Sequence, residues 1–89
     1  DPIPDYAISR ALELLQRLPG IPEVFPTGRG SIQLEYNTGK IDLEIEVFSH
    51  LVDVLVAKDG EPVEEWNETD LQKVVDRVLQ SYPTRRNRG

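Results

Sequence analysis

From Ile32 to Val56 apolar and polar residues alternate almost one for one. The apolar series is Ile32, Leu34 and Tyr36, then Ile41, Leu43, Ile45 and Val47, then Val52, Val54 and Val56. Successive side chains of a strand point to opposite faces, so this pattern writes an antiparallel sheet with one apolar face and one polar face. On either side the period lengthens. Ile8, Ala11, Leu12, Leu15 and Leu18 recur at helical spacing before it, and Leu71, Val74, Val75, Val78, Leu79 and Tyr82 after it. Two one-sided helices and a one-sided sheet have one economical arrangement. It is an α+β two-layer sandwich: an N-terminal helix, a meander of three to four antiparallel strands and a C-terminal helix, with both helices on the apolar sheet face.

Local signals set the boundaries. Pro4 suits a first helical turn, so the first helix begins near Pro4 or Asp5, and Pro19-Gly20 ends it. The Pro- and Gly-rich stretch Ile21 to Gly30 reads as an ordered crossing loop in which only Glu23-Val24-Phe25 can extend. If Asn37-Thr38-Gly39-Lys40 is a four-residue loop, Tyr36 faces Ile41, Leu34 faces Leu43 and Ile32 faces Ile45. A two-residue turn at Ser49-His50 pairs Val47 with Val52, Ile45 with Val54 and Leu43 with Val56. Asp59-Gly60 is a hairpin signal, but strict pairing beyond it turns Val63 and Glu65 inward and Trp66 outward. A bulge near Pro62 is the expected repair. Thr69 and Gln72 have capping-box spacing, Asp70 complements the helix dipole, and Pro83 ends the last helix. The sequence therefore divides into one domain, residues 1–83, and a disordered basic tail, residues 84–89, which has three arginines and no apolar residue.

The residue inventory narrows the chemistry. No cysteine is present, which excludes disulfides, thiol nucleophiles and Cys-ligated metals. The one histidine, His50, falls in a tight turn, and none of Ser9, Ser31 and Ser81 sits in a nucleophile motif. The expectation is a non-enzymatic protein with no catalytic, cofactor-binding or metal-ligating residues and no cofactor. With no long apolar run and no signal-like start, the chain reads as soluble and cytoplasmic, with no membrane contact. It opens on Asp1-Pro2 and not on Met, which admits processing or a missing upstream segment.

Charge points to a surface. Sixteen acids against ten bases give a net charge of −6. Residues 31–83 hold twelve acids and four bases, a net of −8, while the tail carries +3. On the paired register the polar sheet face presents Gln33, Glu35, Asp42, Glu44, Glu46 and Asp53, with Glu46 opposite Asp53, an arrangement of like charges that costs stability. Phe48, Leu51, Leu55 and, before the bulge is allowed for, Trp66 lie beside them. A face that mixes carboxylates with apolar anchors suits a basic protein partner, or in a sharper form mimics nucleic acid. The alternatives are a solvated face, or one covered by a second copy in a homodimer or by an upstream segment. Direct nucleic-acid binding is disfavoured by the charge, and strand-spaced carboxylates do not converge on one metal ion. The Gly28-Arg29-Gly30 loop has the composition of an anion cradle, yet it leads into a strand and not a helix, which favours a structural turn.

The run Pro26-Thr27-Gly28-Arg29-Gly30-Ser31-Ile32-Gln33-Leu34-Glu35-Tyr36, followed by Leu43-Glu44-Ile45-Glu46, resembles a group of small uncharacterised bacterial proteins. In that group a helix ending in Leu-Pro precedes P-T-x-x-G-S-I-Q-x-E-Y and an L-E-I-E strand. The likeness spans Ile8 to Val56; the Trp-Asn-Gly stretch that often precedes the group's first helix is absent from this chain. The resemblance supplies a pattern without an activity, and it draws attention to Thr27, Arg29, Gln33 and Glu35. The candidate partner-binding residues are thus Thr27, Arg29, Gln33, Glu35, Asp42, Glu44, Glu46, Phe48, Asp53, Leu55 and Trp66. The expected role is a small binding or accessory protein. An antitoxin-like inhibitor of a basic toxin or nuclease is the alternative, and an enzyme built on Arg29 and Glu35 is a third reading.

Overall fold

The computed structural model describes residues 2–81, so Tyr82, Pro83 and the basic tail lie outside the described residues. Its elements are α1 (Asp5–Arg17), β1 (Glu23–Pro26), β2 (Ile32–Asn37), β3 (Ile41–Val47), β4 (Val52–Lys58), β5 (Glu61–Glu68) and α2 (Leu71–Ser81). The five strands form one antiparallel sheet in chain order, β1-β2-β3-β4-β5, with α1 over β2 and β3 and α2 over β4 and β5. The α+β sandwich with both helices on one face is therefore the fold. The strand count is five and not three to four: Glu23-Val24-Phe25 extends with Pro26 into an edge strand, and the chain beyond Asp59-Gly60 pairs along its whole length.

The alternating pattern does what its period requires. Leu34, Leu43, Ile45, Val47, Val52 and Val54 are fully buried against Leu14, Val74 and Val78 of the helices. The β3–β4 ladder has the expected register, with Ile45 opposite Val54 and Glu46 opposite Asp53. The β2–β3 ladder is displaced by two residues, so that Tyr36 faces Leu43 and Leu34 faces Ile45. Thr38 and Ile41 pair across the turn, the Thr38 N–H donating to the Ile41 carbonyl at 3.1 Å, and Gly39 takes φ 96°. The loop is thus two residues tighter than the sequence suggests. An even displacement keeps every side chain on its face, which is why the face assignment survives.

The expected bulge lies in β5. Val56 faces Glu64 and Ala57 faces Pro62, leaving Val63 unpaired and exposed rather than inward. The extra residue reverses the phase of the rest of the strand. Trp66 comes opposite Val54 and packs against the core, and Glu65 comes opposite Leu55 on the outer face. Trp66 is therefore a core-side residue and no part of the outer surface. The Arg77 guanidinium stacks on its ring, 4.3 Å from the centroid, and also pairs with Glu64.

Both helices differ from the sequence pattern in phase. In α1 the buried series is Ala7, Ala11 and Leu14, continued by Leu18 just past the helix end, with Leu15 packed at its margin, while Ile8 and Leu12 remain exposed. The opposite flank ties α1 to α2: an Arg10 Nη2 N–H donates to the Thr69 carbonyl at 2.9 Å, and Arg17 Nη1 to Gln72 Oε1 at 3.1 Å. Two alanines let the helix approach the sheet closely, and the larger Ile8 and Leu12 are left on the flank away from α2. At the start of α2 the cap is Asp70, whose Oδ1 accepts the Gln72 N–H at 2.9 Å, and not the Thr69–Gln72 box. The Thr69 N–H donates instead to Glu68 Oε2 at 3.2 Å, and Gln72 Oε1, which a box would turn back to that N–H, accepts from Arg17. Leu79 is exposed at the edge of the α2 stripe.

Candidate functional site

Register places the outer-face residues in cross-strand rows, with adjacent strands about 4.8 Å apart. One row runs Phe25, Gln33, Glu46, Asp53, Asn67, and the next runs Glu23, Glu35, Glu44, Leu55, Glu65. Asp42 lies a further step toward the Asn37 end, beside Ala57. Seven carboxylates thus share this face with a single base brought over from a loop.

That base is Arg29. Thr27 and Ser31 continue the β1–β2 ladder, and Gly28 and Gly30, at φ 87° and 81°, turn the chain so that Arg29 reaches across the sheet end. Its Nε and Nη2 donate to Glu46 Oε2 and Oε1 at 2.8 and 2.6 Å, a bidentate pair. The Arg29 backbone N–H donates to Thr27 Oγ1 at 3.2 Å, and the fully buried Ser31 hydroxyl donates to Glu46 Oε2 at 2.5 Å. With its proton so directed, Ser31 Oγ accepts from Thr27 Oγ1 at 2.6 Å. A closed ring results, in which every donor runs toward the Glu46 carboxylate and Arg29 stands at both ends.

The electrostatics follow from these contacts. Glu46 is held below the ordinary carboxylate range, first by the Arg29 hydrogen bond and, against a smaller opposing effect of burial, also by Ser31. The same Glu46 contact raises the Arg29 guanidinium above its ordinary value. Asp53, across from Glu46, is pushed up by burial and then by Glu46 and Glu65, more than Arg29 offsets. Glu35 is pushed up by burial and then by Glu44, Glu23 and Asp42. One acid is satisfied, and its neighbours carry unrelieved like-charge repulsion.

Two depressions adjoin the ring. A cavity of about 260 Å³ is lined by Arg29, Gln33, Glu44, Glu46, Asp53, Leu55 and Glu65, with Leu55 as its apolar floor. A more open groove of about 710 Å³ runs over the sheet end between Pro2, Pro4, Arg29, Phe48, Leu51, His50 and Asp53.

Of the expected partner-binding residues, Arg29, Gln33, Glu44, Glu46, Asp53 and Leu55 come together at the cavity, and Phe48 borders the groove. Glu35 lies one strand away in the same row as Glu44, and Asp42 further along the face. Thr27 turns inward to hold the loop, and Trp66 is on the opposite side of the sheet. The Arg29 guanidinium is committed to Glu46, as a structural turn and not as an anion cradle. Sequence reasoning overlooked Ser31, Glu23 and Glu65. Glu65 follows from the bulge once its position is fixed, and Glu23 from reading Glu23-Val24-Phe25 as a strand. Nothing in the sequence marks the buried Ser31 hydroxyl.

Among the described residues no group of three or more His, Asp or Glu side chains is placed to hold a metal ion, and no helix is long and apolar enough to cross a membrane. Comparison with models of protein families, with curated proteins and with solved structures finds no match for this chain.

Proposed function

We propose that the protein is a small non-enzymatic binding protein whose outer sheet face receives a basic segment of another protein. The observation that carries this reading is the balance of charge on the face. Of the seven carboxylates on the face, Glu44, Glu46, Asp53 and Glu65 line the cavity with Leu55, and the one arginine among them is already spent on Glu46. An ordinary solvated sheet face relieves such rows with interleaved lysines, because like charges directly opposed destabilise a ladder. Here Asp53 and Glu35 stay strained in the ionised form, and a partner's guanidinium or ammonium group would relieve them. Arg29 on Glu46 illustrates the geometry such a group can adopt, and Leu55 and Phe48 offer apolar contact beside it.

The reading is tested with an arginine- and lysine-rich peptide titrated into the labelled protein and followed by nuclear magnetic resonance. Shifts confined to Glu44, Asp53, Leu55 and Glu65, weakening with salt and abolished by Glu44→Lys with Glu65→Lys, support it. Shifts spread evenly over the surface, or unchanged in the double variant, would count against it. Antitoxin-like neutralisation is a special case with a basic toxin or nuclease as partner. It requires that the same double variant fail to protect cells expressing that toxin.

A further inference from the structure

A second surface of the molecule is distinct from the acidic face and follows from the phase of α1. Ile8 and Leu12, exposed by 39% and 56%, lie on the flank of α1 away from α2, and α1 itself packs over β2 and β3, so this flank faces the β1 edge of the sheet. Val24 of β1, on the same side of the sheet, is 50% exposed, Ile21 just before the strand is 95% exposed, and Phe25 is 38% exposed on the other side. None of these side chains is charged, in a chain of net charge −6. We propose that this flank is the seam of a homodimer, in which β1 pairs antiparallel with β1 of a second copy about a two-fold axis through Val24.

Backbone polarity selects that arrangement. The Thr27 N–H bonds the Ser31 carbonyl at 3.1 Å, so ladder alternation directs Phe25 and Glu23 toward β2. Pro22, Val24 and Pro26 then direct their backbone groups outward, and the two prolines have no N–H. This edge offers one donor, at Val24, with the Val24 carbonyl beside it. A two-fold axis at that residue satisfies both reciprocally, whereas a longer added strand would face prolines at the neighbouring bonding positions. The same register sets Glu23 opposite Phe25 of the second copy, so no carboxylate faces another across the seam.

The area also fits. A standard interface buries about 800 Å² per partner, somewhat over half of it non-polar, or roughly 450 Å² of apolar surface per copy. Four partly exposed aliphatic side chains and a phenyl ring provide surface of that order. Growth stops at two, because the outer edge of each copy is β5, guarded by Pro62, the Val63 bulge and Glu61, Glu64, Glu65 and Glu68.

Sedimentation equilibrium of the whole chain tests this, with the expectation of a monomer–dimer equilibrium at micromolar to millimolar concentration and no higher species. Leu12→Glu alters an exposed helix position and should weaken association at least tenfold with an unchanged circular dichroism spectrum, while Glu44→Lys should leave association intact. The chain has no cysteine, so a Val24→Cys variant oxidised in air should give one covalent dimer, the paired Cα atoms being about 5.5 Å apart. A wild-type chain that stays monomeric to millimolar concentration overturns the proposal. So does a dimer that Leu12→Glu leaves intact, or one that Val24→Cys does not cross-link.

Discussion

Arg29 binds Glu46 twice through its guanidinium and once more indirectly, because its backbone N–H starts the hydroxyl chain through Thr27 and Ser31 that ends on the same carboxylate. The glycine-flanked turn and the centre of the acidic face are thereby one unit. Titrating the face will be felt in the loop.

The pH dependence of stability should have a maximum on the acid side of neutrality. Asp53 and Glu35 have raised folded-state values, so their contribution to stability is complete below the unfolded value and lost as pH rises through the folded one. Glu46 is depressed, so its contribution holds above the unfolded value and is lost as pH falls through the folded one. Denaturant midpoints should rise as pH is lowered from neutrality toward the ordinary carboxylate range, about 4, and fall below it. Glu46→Gln should remove much of the acid-side loss.

Replacing the strained acid should stabilise the fold. Asp53→Asn keeps the shape of the side chain and ends its repulsion with Glu46 and Glu65, for a gain of about 0.2–1 kcal/mol in chemical denaturation at pH 7. The gain should disappear near pH 3, where the wild-type aspartate is itself protonated. A loss of stability at neutral pH would show that Asp53 makes a favourable contact.

Ser31→Ala should cost about 1–2 kcal/mol, since it removes a fully buried hydroxyl that accepts from Thr27 and donates to Glu46. Amide hydrogen exchange should accelerate locally, at Arg29 and Thr27, before any change in the β3–β4 ladder.

The two helices allow a paired comparison of leucines. Leu14→Ala opens a void beneath α1 and should cost about 2–5 kcal/mol in thermal or denaturant unfolding. Leu79→Ala, on the exposed margin of α2, should change stability by less than about 0.5 kcal/mol.

Legibility in the sequence follows how strongly each feature is overdetermined. The β3–β4 register is readable because a two-residue turn and two apolar series agree on it. The β2–β3 register is not, because moving the Thr38–Ile41 turn by an even number of residues leaves both faces intact, and only the turn's own hydrogen bonds decide. In α1 two stripes about 100° apart are both apolar, and the one with smaller side chains packs down because it allows closer approach. Trp66 depends on the position of one bulge, which proline indicates only nearby. At the site, the acidic rows were visible as alternation. The Ser31 hydroxyl that anchors them was not, since only burial distinguishes it from any serine at the start of a strand.

The bulge at Val63 also bears on how this chain tolerates a change of length. The spare residue lies between a two-residue turn and Trp66, so a chain shortened by one at Val63 would run a regular ladder from Glu61 with Trp66 still opposite Val54. One residue removed from β3 would instead turn part of that central strand over and set glutamates against the helices. Of the strands, β5 is where a single-residue deletion can be absorbed, so homologous sequences one residue shorter there would have the same fold and the same outer face.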